Sequence, residues 1–145
     1  MSCDEPATIT KAEYESLARF RRILREFLRF SEVAARREGI APQQHQLLLA
    51  IKGMPSRESA TISEIASALQ LAHHAAVQLV DRAAALDLVV RVRDQRDKRQ
   101  VFVRVTEKGE ALLCGLTDLH RAELRRVREE LIASLQNVPE PVSGL

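Results

Sequence analysis

Apolar residues recur at helical spacing at both ends of this chain, and the pattern changes to strict alternation only between them. From Tyr14 to Ala35, the positions Leu17, Phe20, Leu24, Phe27, Leu28, Phe30 and Ala34 fall three or four apart, which predicts a long amphipathic helix over about 8–37. Leu112, Leu113, Leu116, Leu119, Leu124, Val127, Leu131 and Leu135 predict a second over about 107–136. A shorter helix is expected from Ala41 to Gly53, with Pro42 in its first turn and glycine at its end. The alternation lies in Val101 to Val105, where three valines share one face of a strand, and in Val89 to Arg93, read with Val90 and Val92 inward.

Two further helices precede these strands. Thr61 and Glu64 have the spacing of a capping box, so a short helix should follow through Ile65, Ala66 and Leu69. After Gln70 to Ala72 a second helix runs from about His73 to Leu86, with Ala76, Leu79, Val80 and Ala83 as its buried stripe. His74, Val77, Gln78, Asp81 and Arg82 fall on the other face. Helix, helix, hairpin is the order of a winged helix-turn-helix. The predicted class is mainly α with a small β-hairpin wing (α+β), and the lobe spans about 41–105 within a single domain over 1–145.

Charge sharpens this reading. The chain carries a net charge of only +2, yet Arg91 to Arg104 holds six Lys or Arg against two Asp. The tip, Asp94 to Arg99, is too polar to bury. A projecting basic hairpin can lay an Arg along a phosphate backbone or into a narrow minor groove, while the exposed face of the preceding helix lies in the major groove. Gln78 can pair with adenine, Val77 can touch a thymine methyl, and Arg82 is placed for phosphate. His73 and His74 stand at the positive end of that helix, where a phosphate oxygen is favoured.

The segments Ile62 to Leu69 (ISEIASAL), Leu79 to Arg82 (LVDR), Leu88-Val89, Asp94 to Arg99 (DQRDKR) and Val105 to Gly109 (VTEKG) resemble the MarR (multiple antibiotic resistance regulator) family of dimeric winged-helix transcription factors. The resemblance implies a DNA interface of Ser63, His73, His74, Val77, Gln78, Arg82, Arg93, Arg96, Asp97, Lys98 and Arg99. In it Asp97 orients an Arg and Arg96 probes the minor groove. The chain departs from the family pattern at Ala83, where leucine is usual, and at Asp87, where glycine is usual. Asp tolerates a left-handed cap better than most residues, and the room left by Ala83 falls to neighbours such as Phe102 to fill. The paired histidines replace the family's small polar residues.

The resemblance also implies a homodimer in which the two terminal helices form a layer through Leu17, Phe20, Leu24, Leu116, Leu124, Val127 and Leu131. A two-fold dimer presents two recognition helices and predicts a pseudo-palindromic operator with half-sites roughly 34 Å apart. It further implies a small-molecule effector pocket, with Phe27, Phe30, His45 and Leu48 as candidate lining, and repression as the usual mode. Arg19, Arg21, Arg22, Arg25, Arg29, Arg36 and Arg37 of the first helix are read as a salt-bridged, solvated face. Its apolar stripe suits a partner helix better than a membrane.

Several classes fall away. There is no nucleophile-base set and no glycine-rich phosphate loop, so an enzyme is not expected. No cofactor or metal is expected: His45, His73, His74 and His120 lack ligand spacing, and Cys3 and Cys114 form no disulfide framework. Neither cysteine falls at a redox-sensing position of the family. The N-terminus lacks the basic and apolar regions of a signal peptide, which predicts a cytoplasmic protein. Five aromatics, none at the wing tip, argue against RNA stacking. The rival class is a winged-helix protein-interaction or architectural module, whose binding would depend less steeply on salt.

Overall fold

A computed structural model describes residues 8–139; Cys3 lies outside them. The order is α1 (Lys11–Arg37), α2 (Pro42–Lys52), β1 (Ser59–Ala60), α3 (Ile62–Leu69), α4 (His73–Ala85), β2 (Val89–Arg93), β3 (Val101–Val105) and α5 (Glu107–Gln136). Residues 31–120 form one compact unit; the described residues on either side, 8–30 and 121–139, form a second.

In the first unit the helices begin and end for local reasons. Gln44 returns its side-chain oxygen to the Ala41 N–H at 2.8 Å, behind Pro42 in the first turn of α2. The capping box of α3 forms as predicted: Thr61 Oγ1 accepts from the Glu64 N–H at 3.2 Å, and Glu64 Oε1 accepts from the Thr61 N–H at 3.0 Å. The end of α4 turns on Asp87, at φ 58°, while the Leu88 N–H reaches back to the Ala83 carbonyl at 2.9 Å. That is the left-handed cap usually given to glycine. Gln70, at φ 54°, closes α3 in the same way.

The core of this unit is apolar and continuous. Leu47, Leu48 and Ile51 of α2, Ile65 of α3, and Ala76, Leu79, Val80 and Ala83 of α4 are buried together with Leu88, Val89 and Val103. The stripe read on α4 is therefore the buried one.

The sheet is antiparallel in the order β1-β3-β2. Val89 pairs with Val105, Arg91 with Val103 and Val92 with Phe102. This register corrects one expectation. Val90 and Val92 point outward, 47% and 40% exposed, and the buried residue of β2 is Val89 at 2%. Side chains alternate, so seating Val89 opposite Val105 sends every even-numbered residue of β2 to the other face. Phe102 shares that outer face with Val92, so it is not the filler for space beside Ala83. Its ring instead lies under the Arg57 guanidinium, 5.7 Å from the centroid.

In the second unit, Ile23 and Val127 are buried with Ser16 and Ser134, while Leu17, Leu24 and Leu124 are exposed and Phe20 and Leu131 half-buried. Val127 thus belongs to the interior of its own chain and is not available to a partner surface. The same correction applies to Leu116, which is fully buried in the core of the first unit. Helical spacing marks an apolar stripe but not which of its residues the chain keeps for itself. The arginine-rich face of α1 is partly paired, as expected: Arg22 meets Glu26 at 3.9 Å and Glu130 at 3.6 Å, and Arg36 meets Glu32 at 3.8 Å.

Candidate nucleic-acid interface

The start of α4 is open to an acceptor. Its N-cap is Ala72, whose side chain cannot accept a hydrogen bond, so the first-turn N–H groups lack a side-chain cap. His73 and His74 are exposed at this end. One and two turns on, Gln78 and Arg82 are exposed on the same face as His74, with Val77 half-buried between. Ser63 is exposed in the first turn of α3. The helix dipole, two imidazoles and an unsatisfied amide edge together favour an anion at the beginning of α4.

Asp81 is on this face too, and its negative charge is balanced by Arg91 of β2, whose guanidinium donates to Asp81 Oδ1. That pair links the helix to the wing. Arg91 is thereby occupied, which spacing along the sequence did not disclose.

The wing tip is built by two aspartates. Asp94 Oδ1 accepts from the Arg96 N–H and Asp97 Oδ1 from the Arg99 N–H, each at 3.0 Å. The Asp94 N–H donates to the Gln100 carbonyl and the Gln100 N–H to the Asp97 carbonyl, again at 3.0 Å. These side-chain turns fix the loop backbone without a glycine. Asp97 therefore orients Arg99 through the main chain. Arg93, Arg96, Lys98 and Arg99 are all exposed, with no ion pair to an acid among the described residues. Arg104, exposed on the outer face of β3, adds a charge that the sequence reading counted but did not assign.

The start of α5 explains the VTEKG segment. Thr106 Oγ1 accepts from the Gly109 N–H at 3.1 Å and donates to the Asp87 carbonyl at 2.6 Å, while Lys108 Nζ donates to the Leu86 carbonyl at 2.9 Å. One short segment thus caps α5 and closes the end of α4. A Cβ at Gly109 would overlap the Leu88 carbonyl oxygen and come within 2.9 Å of Val105 Cγ1.

One open cavity of this unit, of about 460 Å³, is framed by Ile40, Leu86, Leu88, Lys108, Leu112 and Gly115; the residues read as effector-pocket lining are not among those that frame it. Leu48 is fully buried core, His45 is buried beside His120, and Phe27 and Phe30 are half-buried on α1. Among the described residues no three His, Cys, Asp or Glu gather to hold a metal ion, and no helix is long and apolar enough to cross a membrane.

A sequence profile of the MarR family matches residues 38–100, the span of α2 to the wing tip. No curated protein sequence matches. The fold resembles AbsC, a MarR family transcriptional regulator from Streptomyces coelicolor, at 18% identity and a TM-score of 0.68, over 94% of this chain and 86% of that one. It also resembles a mutant MepR from S. aureus bound to an oligodeoxyribonucleotide, at 21% identity and 0.64, over 89% and 95% of the two chains. A mutant MarR from E. coli complexed with operator DNA matches at 21% identity and 0.63, over 89% and 94%. The chain thus carries the MarR family's sequence pattern over its winged unit and shares the fold of solved MarR family proteins over most of its length.

Proposed function

We propose that this protein is a DNA-binding transcriptional regulator of the cytoplasm that reads a pseudo-palindromic operator as a homodimer. Its recognition surface is His74, Val77 and Gln78 of α4, with Ser63, His73 and Arg82 at phosphates and the wing residues Arg93, Arg96, Lys98 and Arg99 gripping the flanks. The observation that carries this reading is the joint exposure of an uncapped, histidine-bearing helix start and an unpaired basic wing, on elements tied to each other by Asp81 and Arg91. The solved complexes of relatives with operator DNA and an oligodeoxyribonucleotide support it.

Dimerisation rests on the exposed leucines of the terminal helices, Leu17, Leu24 and Leu124. Repression, and release by a small-molecule effector, are the family's habit and complete the proposal. An effector acts only through differential affinity for two spacings of the recognition helices, and a tenfold loss of DNA affinity requires about 1.4 kcal/mol of it.

One observation favours a second reading, a protein-interaction module: Val90 and Val92 present an apolar strip on the outer face of the wing. Selection of bound fragments from random duplex DNA, followed by a salt titration of the winner, separates the two. An inverted repeat with a steep salt slope supports the operator reading. No enrichment, with weak binding indifferent to salt, overturns it in favour of the module.

A further inference from the structure

The chain enters the winged unit at Ser31 and leaves it at His120, and these two residues are joined directly: His120 Nε2 and Ser31 Oγ are 2.8 Å apart. The other ring nitrogen, Nδ1, lies 2.6 Å from the Leu116 carbonyl oxygen. A carbonyl only accepts, so in the neutral ring Nδ1 carries the proton, Nε2 accepts, and the Ser31 hydroxyl donates.

His45 of α2 packs on this pair, its ring centroid 4.9 Å from that of His120 and tilted by 44°. It is 4% exposed, and its Nδ1 is buried with no hydrogen-bond partner among the described residues. A proton gained there would create a charged N–H without an acceptor, beside a second imidazole. Burial first, and His120 second, hold His45 below its ordinary value of 6.5.

Among the described residues, the charged groups on the elements packed against α2 are engaged elsewhere or at the surface, Glu110 of α5 being held by Lys52. Glu64 of α3 is taken by Thr61 and Arg57, Asp81 of α4 by Arg91, and Glu58 before β1 by Lys52, while Arg82 of α4 and Arg104 of β3 are at the surface. His120 is the titratable group whose ring packs on His45.

We propose that Ser31, His45 and His120 form a proton-operated latch, closed when the rings are neutral and opened by protonation of His45, so that the proton is itself an effector of DNA binding. Opening loosens the two points where the chain enters and leaves the winged unit. The arrangement competent for DNA is then a smaller fraction of the ensemble, and apparent affinity falls by that fraction. The second step rests on the DNA-binding reading above; the latch does not.

The test uses the full chain. Histidine titration by NMR reads the latch, and affinity for the selected duplex at pH 7.5 and 5.5, at constant salt, reads its consequence in wild type, His45→Phe and His45→Gln. The α4 and wing residues are the same in all three proteins, so their own contribution to the pH response cancels in the comparison. His45 should titrate below 6.5, and higher in His120→Asn than in wild type. On acidification wild type should lose affinity at least about threefold relative to both variants. A His45 midpoint at or above 6.5, or the same pH response in all three proteins, overturns the proposal. If no duplex is bound at either pH the DNA reading fails, and the NMR titration alone decides the latch.

Discussion

Arg91 of β2 and Asp81 of α4, ten residues apart in sequence, form a charge-assisted hydrogen bond between the two elements. Both side chains are more than a third exposed, so the pair stabilises the fold by no more than about 1 kcal/mol. In the proposed DNA-bound state its effect is larger in kind, because Asp81 shares the α4 face with His74 and Gln78, which the proposal assigns to a polyanion. Asp81→Asn should tighten binding, and Arg91→Ala, which leaves that carboxylate uncompensated, should weaken it by roughly threefold to tenfold at low salt. Thermal denaturation beside a binding titration checks both halves. A large loss of melting temperature with unchanged affinity would refute the assignment.

Gly109 sits where the backbone of Leu88 comes closest to α5, and no flexible side chain can yield there. Gly109→Ala must push the α4–β2 turn away from the start of α5, at a cost of about 1–3 kcal/mol, as overpacking elsewhere does. Asp87→Gly, at φ 58°, should instead stabilise by up to about 1 kcal/mol by removing a left-handed residue that carries a Cβ. Chemical denaturation of the two variants should give shifts of opposite sign.

These two positions also mark what could be read before the structure. The capping box at Thr61, the buried stripe of α4 and the left-handed Asp87 are local consequences of a few neighbouring residues, and all three appear as read. Strand facing and helix rotation are different in kind. Whether Val89 or Val90 points inward depends on a register set by Val105 on another strand, and whether Leu116 faces core or partner depends on contacts far along the chain. The Arg91–Asp81 and Ser31–His120 pairs are likewise created by folding, and spacing carries no trace of them.

Glu64 is held below its ordinary value of 4.5, chiefly by its hydrogen bond from the Thr61 backbone. A folded-state value below the unfolded one means the carboxylate stabilises α3 fully above that unfolded value. The contribution is lost as pH falls through the depressed value. Wild type should therefore lose stability on acidification below pH 4.5, and Glu64→Gln should be less stable at neutral pH but flatter over that acidic range. Thr61→Ala should cost about 1 kcal/mol at neutral pH. Denaturant midpoints at a series of pH values test the sign.

Leu24 and Leu124 are exposed in the single chain, whereas Val127 is not. If the terminal helices form the dimer layer, Leu24→Lys or Leu124→Lys should shift the protein to monomer with its helical content intact. Val127→Lys should instead unfold the terminal helices by burying an unpaired charge. Sedimentation equilibrium with circular dichroism distinguishes these outcomes. Dimers that survive both leucine variants would remove the layer.

Arg96 and Gln78 should fail in different ways. Arg96 projects from a tip whose backbone is held by Asp94, so losing its charge leaves the loop shape intact and removes one contact to the negative potential of DNA. Arg96→Ala should weaken selected and random duplexes alike and reduce the salt slope by about one. Gln78 is an exposed side chain on a helix anchored by Leu79 and Val80, so truncating it leaves the helix seated. Gln78→Ala should relax base preference at one position per half-site, costing about 1–3 kcal/mol on the selected sequence and little on random DNA. Affinity for both duplexes at several salt concentrations resolves the two patterns. Equal losses for both variants on both duplexes would mean that α4 and the wing do not divide the work of reading and holding.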